Sequence, residues 1–304
     1  MSKQRKETKI DIDLPRLIEQ FGNEERCRAY LEMLRWHKTV QCPRCASEKV
    51  SHIVKRNQFD CDSCRYQFSV TTGTVLHDTH LPLWKWFLAA YMMIEAKKGV
   101  SANQLKRTLA VSYRTAWYLC HRIRKAMEEV NAAPLSGTVE VDETLIGGKL
   151  RNVGTGHGLR NKSMVIGALQ RNGEVRLRIE KRPNRKTLHK FIHDTTLDET
   201  EKIYTDGHPA YKGIADHNTI HESVDHEHEE WVRGDVHTNG IEGVWSLLKR
   251  SIVGSYHQVS KKHLDRYLRE FEFRFNNRKN QFLFRDTIMK LIEAPTLTYA
   301  ALTA

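Results

Sequence analysis

Two cysteine pairs constrain this chain more than any other feature. "CPRC" holds Cys42 and Cys45, "CDSC" holds Cys61 and Cys64, and fifteen residues lie between them. A C-x2-C pair forms a tight knuckle that aims two thiolates at one ion. Two facing knuckles complete the tetrahedral shell that zinc prefers. The intervening "ASEKVSHIVKRNQFD" has strand-like character, so the spacing predicts a zinc ribbon with structural Zn2+. Iron in a rubredoxin-like site and a redox dithiol are the competing readings. Cys27 and Cys120 fall in apolar patterns and are expected to be packed thiols.

Charge narrows the partner. The 304 residues carry a formal +12 and a pI near 9.4, a balance that points to a polyanion. Residues 1–130 hold 23 Lys and Arg against 14 Asp and Glu. A zinc held by four thiolates subtracts two charges, and the N-terminal part remains the more basic. It is therefore the better anchor on nucleic acid. No apolar run approaches the ~20 residues of a membrane span, and the N-terminus has no apolar signal core. No membrane partner and a cytoplasmic location are expected.

Residues 101–127, "SANQLKRTLAVSYRTAWYLCHRIRKAM", read as two helices joined by a short turn, with Ser101 and Ser112 as N-caps. In the second helix Ala116, Leu119, Cys120, Ile123 and Met127 recur at helical spacing. Arg114, Tyr118, His121, Arg122 and Lys125 fall largely on the other side. An apolar stripe opposite a basic and aromatic one suits a helix lying on DNA. An amphipathic helix with a solvated basic face is the plainer alternative. The preceding "LPLWKWFLAAYMMIEAKKG" predicts a buried helix completing a three-helix unit.

After a linker, "AAPLSG", the pattern becomes α/β. "TVEVDE" is a strand ending in Asp142 and Glu143. "SMVIGALQ" and "EVRLRIEK" flank Arg171, Asn172 and Gly173, where Asn-Gly predicts a hairpin. A helix, "RKTLHKFIHDTT", and a strand, "EKIYTD", follow; the strand ends in Asp206. Two more helices, "NGIEGVWSLLKRSI" and "SKKHLDRYLREFEFRFNNR", complete the pattern, the first with Ile241, Trp245, Leu248 and Ile252 inward. The expected organisation is residues 1–80 as N-terminal helix and ribbon, 81–133 as a helix-turn-helix domain, 134–280 as the core, and 281–304 as a C-terminal tail.

Asp142 and Asp206 each sit at a strand end. If those strands are neighbours, the carboxylates meet at one sheet edge and repel unless a divalent cation lies between them. Glu242, at the first turn of a helix and with 35 residues between it and Asp206, is the natural third ligand. Lys249 follows two turns along the same face, placed for phosphate. The plainer alternatives are a capping box from Asn239 to Glu242 and a turn role for Asp206 before Gly207. The loop "IGGKLRNVGTGHGLRNK" is Gly-rich and basic, so Lys149 is a candidate DNA contact, and it lacks Walker spacing. The His- and acid-rich stretch 215–231 reads as a solvated loop. His208 and His237 flank the acids, as phosphate contacts or turn caps.

Four stretches in this order, "RWHKTVQCPRC", "VEVDETLIGGK", "YTDGHPAY" and "HTNGIEGVWSLLKR", resemble the bacterial insertion-sequence transposases of the DDE type, in the branch with an N-terminal zinc ribbon and a helix-turn-helix. The resemblance spans about residues 20–280. It implies a ribonuclease-H-like core, a mixed sheet with flanking helices, that binds two Mg2+ or Mn2+ ions. The family's acids fall on Asp142, Asp206 and, by spacing, Glu242. Glu242 is preferred to Asn239 and His237 because Lys249 then follows at the spacing of related transposases. Two-metal phosphoryl transfer, with ions ~4 Å apart, at terminal inverted repeats and target DNA is the implied activity. A homodimer or higher oligomer on DNA is expected. A non-enzymatic DNA-binding regulator and a nuclease that cuts without joining are the alternatives. The regulator leaves the three acids unexplained.

Overall fold

A computed structural model describes residues 12–148, 162–181, 184–197, 202–215, 219–224 and 232–304. The chain divides into two compact units, residues 1–127 with 279–304, and residues 128–278.

The first unit begins with α1 (Leu14–Phe21) and α2 (Glu24–Arg35), whose N-caps Asp13 and Asn23 accept from Arg16 N and Arg26 N. The ribbon follows as an antiparallel sheet of β1 (Val50–Ile53), β2 (Gln58–Cys61) and β3 (Gln67–Phe68). Trp36, Phe59 and Phe68 pack beside Cys42 and Cys61 to give this small sheet its apolar core. Then come α3 (Leu83–Glu95), α4 (Ala102–Leu109) and α5 (Tyr113–Ala126). Ser101 and Ser112 cap α4 and α5 as the sequence predicts, accepting from Gln104 N and Thr115 N at 3.1 Å. Ala110 makes the turn between them in a left-handed conformation, φ 50°.

Residues 281–304 do not form a tail. They fold as α9 (Leu283–Glu293) and α10 (Tyr299–Thr303). Phe284 of α9 joins an aromatic cluster with Phe21 and Phe87. The reason is legible in the burial of Phe284, Ile288 and Leu291, one helical stripe that needs a partner.

The second unit is a five-stranded sheet between helices. Its strands are β4 (Thr138–Ile146), β5 (Ser163–Gln170), β6 (Val175–Glu180), β7 (Lys202–Asp206) and β8 (Ile220–Val224), in the order β6-β5-β4-β7-β8. Strands β4, β5 and β6 run antiparallel to their neighbours; β4, β7 and β8 run parallel. The hairpin from β5 to β6 turns at Arg171–Gly173, and Asn172 alone of the three is left-handed. One face of the sheet buries Val139, Val141, Ile166 and Ala168 against Leu188, Phe191 and Ile192 of α6 (Arg185–Thr195). The other buries Val165, Leu169, Val175 and Leu177 under α7 (Asn239–Ser251) and α8 (Leu264–Asn276), through Ile241, Trp245, Leu248 and Phe271. The alternation along β4 and β5 thus sends successive side chains into two different cores. Ile252, expected inward on α7, lies in a π-helical turn, Ile252–Tyr256, half-buried and packed against this second core.

Candidate active site

Strand β4 carries the first acid into the middle of the sheet, and α7 lies over it. Register pairs Glu140 with Tyr204 across the parallel β4–β7 ladder. Two residues further along each strand, that register brings Asp142 level with Asp206. Asp142 stands opposite Gly167 on β5. A Cβ at position 167 would lie 2.5 Å from Cη2 of Trp245, so only glycine lets the indole reach the sheet there. Trp245 Nε1 then donates to Asp142 Oδ2 at 2.8 Å.

Burial pushes Asp142 up to about 6, with the charges of Asp206 and Glu242 raising it further; the indole and a backbone N–H act in the opposite direction. Both other acids are thus near enough to act on Asp142 electrostatically. Glu143, on the opposite face of β4, is pushed up to about 7 by burial and by Asp206 and Asp142. The Tyr211 hydroxyl is buried beside Glu143 and acts in the opposite direction, lowering its proton affinity. Among the described residues no Lys or Arg pairs with Asp142, Glu143, Asp206 or Glu242. Carboxylates are the hard oxygen donors that Mg2+ and Mn2+ take; Asp142 lies within electrostatic reach of Asp206 and Glu242, but the described acids are not drawn together to ligand spacing.

The turn roles weighed from sequence are partly real. Asp206 Oδ1 accepts from His208 N at 3.2 Å, and His208 Nδ1 accepts from Ala210 N. The capping box is not: the N-cap of α7 is Thr238, not Asn239, and its hydroxyl donates to Glu242 Oε1 at 3.2 Å. Glu242 and Lys249 are both exposed on α7. Lys249 lines a cleft of about 610 Å3 with Ile146, Gly148 and His257. Lys149 lies outside the described residues.

In the ribbon, Cys42, Cys45, Cys61 and Cys64 bring their sulfurs within 4.8 Å of one another, the only such cluster of potential ligands among the described residues. Tetrahedral Zn–S bonds of about 2.3 Å imply sulfurs about 3.8 Å apart; the Cys42–Cys64 and Cys45–Cys61 separations are 3.7 and 3.5 Å. Each knuckle ends in a left-handed residue, Ala46 and Arg65, whose N–H returns to the carbonyl of the first cysteine. The site fits zinc. Cys27 and Cys120 are buried elsewhere, as packed thiols.

Comparison with known proteins finds a family for each part of the chain. Residues 134–276 match the ISXO2-like transposase domain, and residues 22–67 match a transposase zinc-ribbon domain. A protein of Halobacterium salinarum described as an uncharacterized protein in transposable element ISH50 is 30% identical over 275 residues, covering 84% of this chain and 92% of that one. The chain belongs to the ISXO2-like transposase family.

The transposase's α4 and α5 divide the basic residues differently from the sequence reading. Arg114 is exposed, with its guanidinium over the Tyr299 ring at 4.3 Å. Tyr118 is half-buried and donates to the Leu297 carbonyl. Lys125 is half-buried. Arg122, expected on the DNA face, is only 4% exposed. It donates to the His77 carbonyl at 2.6 Å and stacks on Trp86 and Tyr118. Its long stem and planar head make it a packing residue here. His121 is buried as well, so the exposed surface of α5 is its N-terminal half.

Sequence reasoning passed over Glu140, Arg171 and the indole of Trp245. The first had a signal: it stands two residues before Asp142, on the same face of the same strand. Trp245 had only its apolar spacing, which explains its ring but not its N–H.

Proposed function

We propose that this transposase binds the terminal inverted repeats of its element and catalyses metal-dependent end cleavage and strand transfer. The observation that carries the reading is that Asp206 and Glu242, from β7 and α7, lie near enough to raise the proton affinity of Asp142 on β4, with no Lys or Arg pairing them among the described residues. The strand order, with three antiparallel strands followed by two parallel ones, supports a ribonuclease-H-like core.

Asp142, Asp206 and Glu242 would hold two Mg2+ or Mn2+ ions, which supply activation of the attacking oxygen and neutralisation of charge on the leaving one. Hydrolysis of a phosphodiester at the element end frees a 3′-hydroxyl. That hydroxyl attacks a target phosphodiester, forming the new P–O bond as the target strand's 3′-oxygen departs. Trp245 donates to one oxygen of Asp142 and so fixes which lone pairs would be left for the ions. Lys249 offers a cation to the DNA backbone. The zinc ribbon and the α4–α5 pair, read as a helix-turn-helix, anchor the ends through Arg114 and the N-terminal half of α5, since recognition helices contact base edges near their N-termini.

Incubation of the protein with labelled terminal-repeat DNA, a target plasmid and Mg2+ tests this. Cleaved ends covalently joined to target support it. Cleavage without joining would identify a nuclease, and binding without cleavage a regulator.

A further inference from the structure

Glu140 is 1% exposed, yet both of its oxygens are engaged. Oε1 accepts from Arg171 Nε at 2.9 Å, with His237 Nδ1 3.5 Å away. Oε2 accepts from Ile241 N, in the first turn of α7, at 3.0 Å. A helix N-cap side chain ordinarily serves that N–H. Here Thr238 makes no such bond, and a carboxylate from the sheet takes its place. A Cβ at Gly240 would lie 2.7 Å from Glu140 Oε2 and 2.9 Å from Leu169 Cδ2, so glycine is what lets the helix start settle onto the strand.

Arg171 completes the clamp. From the β5–β6 turn it donates to the carbonyls of Asp235 and His237, at 2.8 and 3.2 Å, and its guanidinium lies over the Tyr204 ring at 4.8 Å. The segment leading into α7 is thereby tied to β7 and to the hairpin as well as to β4.

We infer that Glu140, braced by Arg171, is a positioning residue that sets the third carboxylate against the first. Glu140 and Asp142 share one face of β4 and are separated by about 6.7 Å of strand rise. Ile241 adjoins Glu242 in the chain. The separation of Asp142 from Glu242 therefore passes through two short covalent links and one charge-assisted hydrogen bond, which is stronger than a neutral one. The indole of Trp245 makes a second tie one turn further along α7. A buried ion pair serving stability alone is replaceable by apolar groups of similar shape; this one joins two proposed metal ligands. The inference rests on the reading of Glu242 as third ligand.

Titration of the full-length protein with Mn2+, followed by electron paramagnetic resonance and with the melting temperature recorded alongside, separates the possibilities. Glu140→Gln and Gly240→Ala are compared with Glu242→Gln and with Ile192→Val, a core change under α6 on the opposite face. Groups that orient metal ligands typically alter affinity by about 10–100-fold. Glu140→Gln and Gly240→Ala are expected to weaken Mn2+ by that range well below their melting temperatures, while Ile192→Val lowers the melting temperature and leaves Mn2+ affinity unchanged. If Glu242→Gln weakens Mn2+ but Glu140→Gln and Gly240→Ala lower only the melting temperature, the positioning role is overturned and the ligand assignment stands. If Glu242→Gln leaves Mn2+ affinity unchanged, the ligand assignment fails and the inference fails with it.

Discussion

At the scale of single residues, the first acid is governed by what surrounds it. Burial holds Asp142 near 6 instead of its ordinary 3.8. Between those values the folded protein keeps a proton that the unfolded chain has released. In chelator, stability is therefore fully present below about pH 3.8 and declines as pH rises through about 6. Added Mn2+ should restore stability above about pH 6 and have progressively less effect below it, which thermal melts across pH with and without the ion will show. Trp245→Phe keeps an aromatic ring but removes the donor and the part of the buried indole that packs on Gly167, so the hydrogen-bond loss is a lower bound. A hydrogen bond to a charged acceptor contributes about 1.5–3 kcal/mol, so urea melts should report a loss of at least that size at neutral pH, and half-maximal Mn2+ binding should move to higher pH. Unchanged stability and unchanged pH dependence would remove the indole from the site.

At the scale of elements, the sequence made the caps of α4 and α5 plain, ended β4 three residues too early, before Ile146, and left the basic helix ambiguous. Ser101, Ser112 and the paired cysteines act locally, through backbone groups a few residues away, and their roles follow from spacing alone. Arg122 could not be read so, because helical periodicity separates faces of α5 without revealing that Trp86 and His77 cover one of them. Its burial gives a sharp contrast. Arg122→Ala should lower the melting temperature by the equivalent of about 2 kcal/mol, as loss of a packed, hydrogen-bonded side chain does, and leave DNA affinity of the folded fraction intact. Arg114→Ala should leave stability nearly unchanged. It should weaken terminal-repeat binding and, if it contacts phosphate, reduce the salt slope by about 1. The reverse pattern would return Arg122 to the DNA face. The turn between α4 and α5 offers a further check. A left-handed alanine costs roughly 1–2 kcal/mol, partly offset by the flexibility that glycine adds to the unfolded chain. Ala110→Gly should therefore stabilise by up to about 1 kcal/mol in urea melts.

At the scale of the whole molecule, a metal-organised ribbon and a carboxylate-bearing α/β unit occur in one chain with a formal charge of +12. The zinc cluster was legible because its chemistry is written in residue types at fixed spacings; Asp206 does end β7, whereas Asp142, expected at a strand end, sits midway along β4, which pairs with β5 as far as Ile146. The clamp of Glu140, Arg171 and Gly240 was not legible, because it depends on which strand faces which helix. The last residues were misread as a tail for the same reason: the apolar stripe of α9 has no partner nearby in sequence. Small thiolate sites fold around their ion, so Cys42→Ser or Cys61→Ser should abolish stoichiometric zinc and the folded ribbon, as metal analysis and proteolysis will report. The central claim is that Asp142, Asp206 and Glu242 form one cation-binding catalytic set. It is tested most directly by end cleavage and strand transfer with Asp142→Asn, Asp206→Asn and Glu242→Gln, alongside Asn239→Ala, at matched terminal-repeat occupancy. The first three are expected to abolish both steps while DNA binding persists, and Asn239→Ala to reduce turnover without erasing it. Near-normal strand transfer by Glu242→Gln together with an inactive Asn239→Ala would contradict that claim and move the third ligand to Asn239.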